Sequence, residues 1–166
     1  MNKALFASNR DDWETPPELF AKLNKEFHFT LDVCATPETA KCVNYFTPED
    51  NGLSKPWIAP DGGAVFCNPP YSRCAKDKPG QEAWIKKAAE ESKRPGAVVV
   101  MLIPARTDTV AFHKYIYHKA EIRFIKGRLH FRVNGKPGDN APFPSMIVIF
   151  RGTAEERAID CSSEGW

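Results

Sequence analysis

Asn68-Pro69-Pro70-Tyr71, with Ser72 behind it, follows directly on the apolar run Ala64-Val65-Phe66-Cys67. Two successive prolines fix the backbone and remove two N–H donors, which leaves a carbonyl free of local pairing. The Asn68 side chain adds a second acceptor oxygen, and Tyr71 adds a flat aromatic face. Two converging acceptors beside a stacking surface suit an exocyclic NH2 on a planar ring. The chemistry that asks for them is transfer of a methyl group to that nitrogen. Its lone pair is delocalised into the ring, and acceptors on both N–H bonds favour a pyramidal nitrogen aimed at a sulfonium methyl. Positioning and dipoles then carry most of the catalysis, with no covalent intermediate and no obligatory general base. A base stacked on Tyr71 must first leave its duplex. Read blandly, Asn and Pro simply end a strand in a turn.

Such a motif needs a sheet to hold it. Thr15-Pro16-Pro17-Glu18 predicts a helix start, with Thr15 as cap, Pro16 at the first helical position and Glu18 closing a capping box. Leu19, Phe20, Leu23 and Phe27 follow as its apolar stripe. Phe29 to Val33 alternates as a strand, Val43 to Phe46 is a short strand candidate, and Ala64 to Cys67 is a third. Glu82 to Lys93 has helical spacing, with Trp84 on its apolar side; Trp84 and Trp57 read as core. The β-branched run Ala97 to Ile103 predicts a strand buried on both faces, as in a parallel sheet. Thr107 or Asp108 then caps a helix reaching about His118, and Ile122–Ile125, Leu129–Val133 and Met146–Phe150 are further strands. The segment 134–142 reads as a long flexible loop, and 72–80 as an exposed polar one. The order predicts an α/β layer sandwich with a mainly parallel sheet. Ligands of such sheets sit beyond the carboxyl ends of the strands, which brings Asp32-Val33-Cys34-Ala35 and Asn68-Pro69-Pro70-Tyr71 to one crevice.

The chain has 166 residues, enough for one domain with a sizeable core. With 42% hydrophobic and 27% charged residues it reads as folded and soluble rather than disordered. No apolar stretch is long enough for a bilayer, and Met1-Asn2-Lys3-Ala4-Leu5 shows no secretory signal, so a cytoplasmic protein is expected. Cys34, Cys42, Cys67, Cys74 and Cys161 form no C-x-x-C pair, and their spacing is wrong for a zinc finger or ribbon. Free thiols and no metal are the expectation. The net charge of +2 is unevenly spread. Residues 10–50 hold nine acids against four bases, whereas residues 119–136 hold Lys119, Arg123, Lys126, Arg128, Arg132 and Lys136 against Glu121 alone. That stretch is either a track for a phosphate backbone or a solvated strand face.

With these residues in order, the chain resembles the phage and prophage DNA N6-adenine methyltransferases of the Dam type. The likeness runs from Trp13 to about Arg151 and rests on Trp13-Glu14-Thr15-Pro16, Phe29 to Ala35, Asn68 to Tyr71, Leu102 to Thr109, Gly127-Arg128-Leu129 and Ala141 to Met146. It implies a Rossmann-like, S-adenosylmethionine-dependent methyltransferase sandwich over 13–151, with a lead-in at 1–12 and a tail at 152–166. In the catalytic motif, the Asn68 side-chain oxygen and the Pro69 carbonyl would accept the adenine amine and Tyr71 would stack on the base, with Pro70 completing the turn. Asp32, Cys34 and Ala35 would form the first donor-binding turn, Trp13, Thr15 and Pro16 would flank the methionine end, and Asp50 is a second acidic candidate for the donor. Asp32 and Asp50 also read as turn caps, and Trp13 as a core residue. The turn after Asp32 lacks the usual G-x-G, and Asn68 stands where the wider class has Asp. DNA would be met by Arg73, Lys76 and Lys78, by Arg106 (or Arg106 makes a structural ion pair), and by Arg123, Arg128, Arg132 and Lys136. The same tetrapeptide occurs in enzymes that methylate a protein glutamine amide, and related motifs occur in RNA methyltransferases. A silent DNA-binding relic is the reading from another class.

Overall fold

The computed structural model describes residues 13–72 and 79–152. The expected lead-in at 1–12 and nearly all of the 152–166 tail lie outside them, as do Arg73, Lys76 and Lys78.

Among the described residues, eight strands and two α-helices carry the fold. Helix α1 spans Pro17–Phe27 and α2 spans Gln81–Glu91; the strands are β1 (Phe29–Asp32), β2 (Asn44–Tyr45), β3 (Ala64–Cys67), β4 (Val98–Pro104), β5 (Glu121–Phe124), β6 (His130–Val133), β7 (Lys136–Asn140) and β8 (Ser145–Arg151). Six of them form one sheet in the order β2-β1-β3-β4-β8-β5. Strands β1 to β4 run parallel, β8 runs against β4, and β5 runs against β8. The expected mainly parallel α/β sheet is therefore a mixed one with a single reversed strand.

Alternation along β4 explains why both faces are covered. Val99, Met101 and Ile103 join one core with Trp57, Trp84, Ile85 and Ile122. Val100 and Leu102 join the other with Leu19, Leu23 and Phe27 of α1. Because successive side chains point to opposite faces, an unbroken apolar run is what a strand between two cores requires. A Cβ at Gly63 would overlap the Thr30 side chain, so the glycine before β3 is what lets β1 and β3 close up.

Three local expectations are corrected. Helix α1 starts one residue late: Pro16 is the N-cap, Pro17 opens the helix, and no side chain caps it. The Thr15 hydroxyl is engaged elsewhere, on Asn68. The helix expected from Thr107 or Asp108 to about His118 is shorter, covering 110–116 with π-type pairing at Phe112–Ile116, and the Thr109 hydroxyl accepts the Phe112 N–H at 3.2 Å. Segment 134–142 is not a loop: β7 pairs antiparallel with β6 through the two-residue turn Asn134-Gly135, with φ of 52° and 71°. Asn and Gly adopt those left-handed angles at low cost, so the dipeptide closes a tight hairpin.

Candidate active site

The sheet reverses its direction of growth between β1 and β3, since β2 lies on one side of β1 and β3 and β4 on the other. Loops leaving the carboxyl ends of two such strands diverge and open a crevice. A cavity of about 1140 Å³ lies there, lined by Asp32 to Thr36 after β1, by Asn68, Pro70 and Ser72 after β3, by Phe46 and Thr47 after β2, by Trp84, and by Trp13 to Thr15. Small-molecule sites run to roughly 300–1,000 Å³, so the space exceeds one ligand of ordinary size. Of the two motifs expected at the crevice, Asp32 to Ala35 line it throughout, while Asn68 and Pro70 line it and Pro69 and Tyr71 do not.

Asp32 ends β1 with only 2% of its surface exposed. Its carboxylate accepts the Cys34 N–H at 3.2 Å and the Lys41 N–H at 3.1 Å. Burial pushes its pKa up, against the pull of those two N–H groups. The carboxylate thus braces the turn that lacks the G-x-G glycines, and Cys34 and Ala35 line the cavity from that turn. Burial, followed by the Asp32 charge, pushes the Cys42 thiol up to about 12, so it stays protonated. Asp50 is exposed and accepts both the N–H and the hydroxyl of Thr47, at 2.8 and 2.9 Å. Thr47 lines the cavity while Asp50 is not among the lining residues, so Asp50 shapes the wall from behind.

Asn68 is held at three points. Its Nδ2 donates to the Trp13 carbonyl at 2.6 Å and to Thr15 Oγ1 at 3.0 Å. Its Oδ1 accepts the Tyr71 hydroxyl at 2.7 Å. A carbonyl only accepts, so Trp13 fixes which end of the amide is nitrogen. Pro16 is buried and is not among the lining residues. Tyr71 departs from its expected place as an open platform. It is 4% exposed, its hydroxyl also donates to the Leu102 carbonyl at 3.2 Å, and its ring meets Phe131 and Phe143 edge-on. An aromatic ring next to a sheet full of apolar side chains gains more from burial than from water. In this conformation Tyr71 steadies Asn68 and offers no face to a base. Pro69 is buried beside it.

The arginines divide. Arg123, expected on DNA, forks onto Glu26 at 2.7 Å, reaches Glu121 at 2.7 Å and lies over the Phe27 ring. Its side chain is 12% exposed, so two carboxylates and an aromatic face claim the group that phosphate would need. Arg106 is half-buried after β4, its N–H on the Pro104 carbonyl. Arg128 and Lys136 are exposed. Arg132 sits on the hairpin, 3.8 Å from Glu18. Sequence reasoning missed the hairpin tip itself: Asn134 and Gly135 line the cavity. The Asn-Gly pair was the signal for it.

The family described as "DNA N-6-adenine-methyltransferase (Dam)" matches residues 3–164. The chain belongs to that family. It is 31% identical over 152 residues to a DNA N-6-adenine-methyltransferase of Haemophilus phage HP1 (strain HP1c1), across 89% of this chain and 82% of the relative. It is 32% identical over 157 residues to a DNA N-6-adenine-methyltransferase of Escherichia phage T1, across 94% of this chain but 60% of that longer relative. Family and relatives support an adenine-specific DNA methyltransferase of phage type, as the motif blocks predict. Among the described residues no helix is long and apolar enough to cross a membrane.

Proposed function

We propose that the crevice binds S-adenosylmethionine against the Asp32–Thr36 turn and a flipped DNA adenine beside Asn68. The observation that carries this is the fixed amide of Asn68, whose side chain borders the same cavity as that turn. The residues present suit the donor: Trp13, Phe46 and Trp84 offer apolar walls, and Asp32, Thr36, Glu38 and Thr47 are polar residues in the lining. The donor supplies the sulfonium methyl. Asn68 Oδ1 has one lone pair on Tyr71 and a second for an N6 proton, and the Pro69 carbonyl takes the other proton. A donor held there would supply its methyl to the nitrogen lone pair and depart with the C–S electrons, and the surplus N6 proton would pass to solvent. Stacking of Tyr71 on the adenine requires the ring to turn out of its pocket.

The fold belongs with Rossmann-like methyltransferases, and residues 13–151 form one such domain; the β1/β3 reversal supports this reading. DNA lies along the hairpin and its approach, where Arg128, Arg132 and Lys136 meet phosphates, together with Arg106 and the segment holding Arg73, Lys76 and Lys78. Two-stranded ribbons are narrow enough for the major groove.

The test is mass spectrometry of nucleosides from plasmid DNA, grown in a methylation-deficient host expressing the chain or Asn68→Ala. N6-methyladenine in the wild type alone is expected, with donor binding kept by the variant in calorimetry. Unmodified adenine from folded wild-type protein would overturn the reading; donor binding lost with the Asn68 side chain would overturn its role.

A further inference from the structure

We infer that Thr15, expected from its motif to border the donor, is a positioning residue for Asn68. The inference rests on the reading of Asn68 as an acceptor for the amine. Thr15 is 2% exposed, yet its hydroxyl does not cap the helix that starts two residues later. It meets Asn68 Nδ2 at 3.0 Å instead, while the neighbouring Trp13 carbonyl takes the other amide proton at 2.6 Å. A primary amide has two donors and one acceptor oxygen. Filling both donors from one side leaves the oxygen as the only end that can turn to the substrate. A half-turn of the amide would set Oδ1 against the Trp13 carbonyl, which cannot donate to it, and would force the Thr15 hydroxyl to turn from acceptor to donor.

Residues 13–15 are themselves fixed from outside. Glu14 and Arg132 exchange both backbone hydrogen bonds at 3.0 Å, and Glu14 Oε1 accepts the Gly135 N–H at 3.2 Å. The strap therefore joins the hairpin tip to the amide of Asn68. Thr15 acts on methyl transfer through Asn68.

Thr15→Val keeps the shape and removes the acceptor; Thr15→Ser keeps the acceptor. Single-turnover methylation, donor calorimetry and the side-chain 15N–1H resonances of Asn68, assigned by their loss in Asn68→Ala, separate the possibilities. Thr15→Val is expected to slow transfer about tenfold, the loss of one orienting hydrogen bond, with donor affinity unchanged. One of the two Asn68 amide protons should move upfield and exchange faster, and Thr15→Ser should restore both rate and resonance. An unmoved resonance, or donor affinity that falls in step with the rate, would overturn the inference. If the wild type methylates no adenine, the proposed reaction fails, but the resonances still report whether Thr15 holds the amide.

Discussion

Replacing Asn68 with aspartate exchanges a donor for an acceptor at a place where the structure supplies only one group able to adapt. The substitution Asn68→Asp keeps the oxygen toward Tyr71 and puts a second oxygen where Nδ2 was, 2.6 Å from the Trp13 carbonyl and 3.0 Å from Thr15 Oγ1. The Thr15 hydroxyl can rotate and donate. The carbonyl cannot. One hydrogen bond worth about 1 kcal/mol is lost, and a half-buried carbonyl facing an anionic oxygen adds about 1–3 kcal/mol, so the ionised variant is destabilised by about 2–4 kcal/mol. Protonation mends the contact, because a carboxylic acid donates one O–H to the carbonyl. The new carboxyl's folded pKa therefore lies above its unfolded value of roughly 3.9. A group raised in this sense contributes stability below its unfolded pKa and loses it as pH rises through the folded one. Urea unfolding of both proteins at pH values from ~5 to ~8 should show the gap between them widening with pH by more than ~1 kcal/mol. A constant gap, or a variant as stable as the wild type at the upper end, would refute the reasoning and mean that the amide nitrogen does not face Trp13.

Tyr71→Phe keeps the ring between Phe131 and Phe143 and loses the bonds to Asn68 and Leu102, so its urea midpoint should fall by the equivalent of about 1–2 kcal/mol. Tyr71→Ala empties that space and should cost about 3–5 kcal/mol; equal losses in the two variants would mean the ring does not pack there. Arg123→Ala should lower stability while the salt dependence of DNA binding stays put; a slope reduced by about one, with stability unchanged, would return Arg123 to the phosphates. The hydrogen bond from Arg123 holds the Glu26 pKa below its ordinary value. That stabilisation is present above the unfolded pKa and lost as pH falls through the folded one, so Arg123→Ala should unfold less steeply with acid than the wild type does.

The features written into neighbouring residues were legible in the sequence. The apolar run of β4 declared a strand between two cores, because side chains alternate along any strand wherever it lies. Asn68-Pro69-Pro70 declared the end of β3, because proline cannot continue a ladder. The Asn134-Gly135 turn is equally local and equally readable, since the dipeptide favours the left-handed angles that a tight hairpin needs. What the chain could not declare was the choice of long-range partners. The Thr15 hydroxyl had two possible donors to accept from, the N–H groups of a helix terminus beside it and an amide 53 residues away, and it accepts from the amide. Arg123 had phosphate or carboxylate as options, and folding brought Glu26, 97 residues away, within 2.7 Å. Tyr71 was a platform or a core side chain according to whether Phe131 and Phe143 reached it. Hydrogen-bonding groups and aromatic faces fix the chemistry a residue can do, and that much belongs to the sequence. Which of several suitable partners lies within 3 Å depends on sheet order and on how loops close over it, and only the tertiary structure decides that.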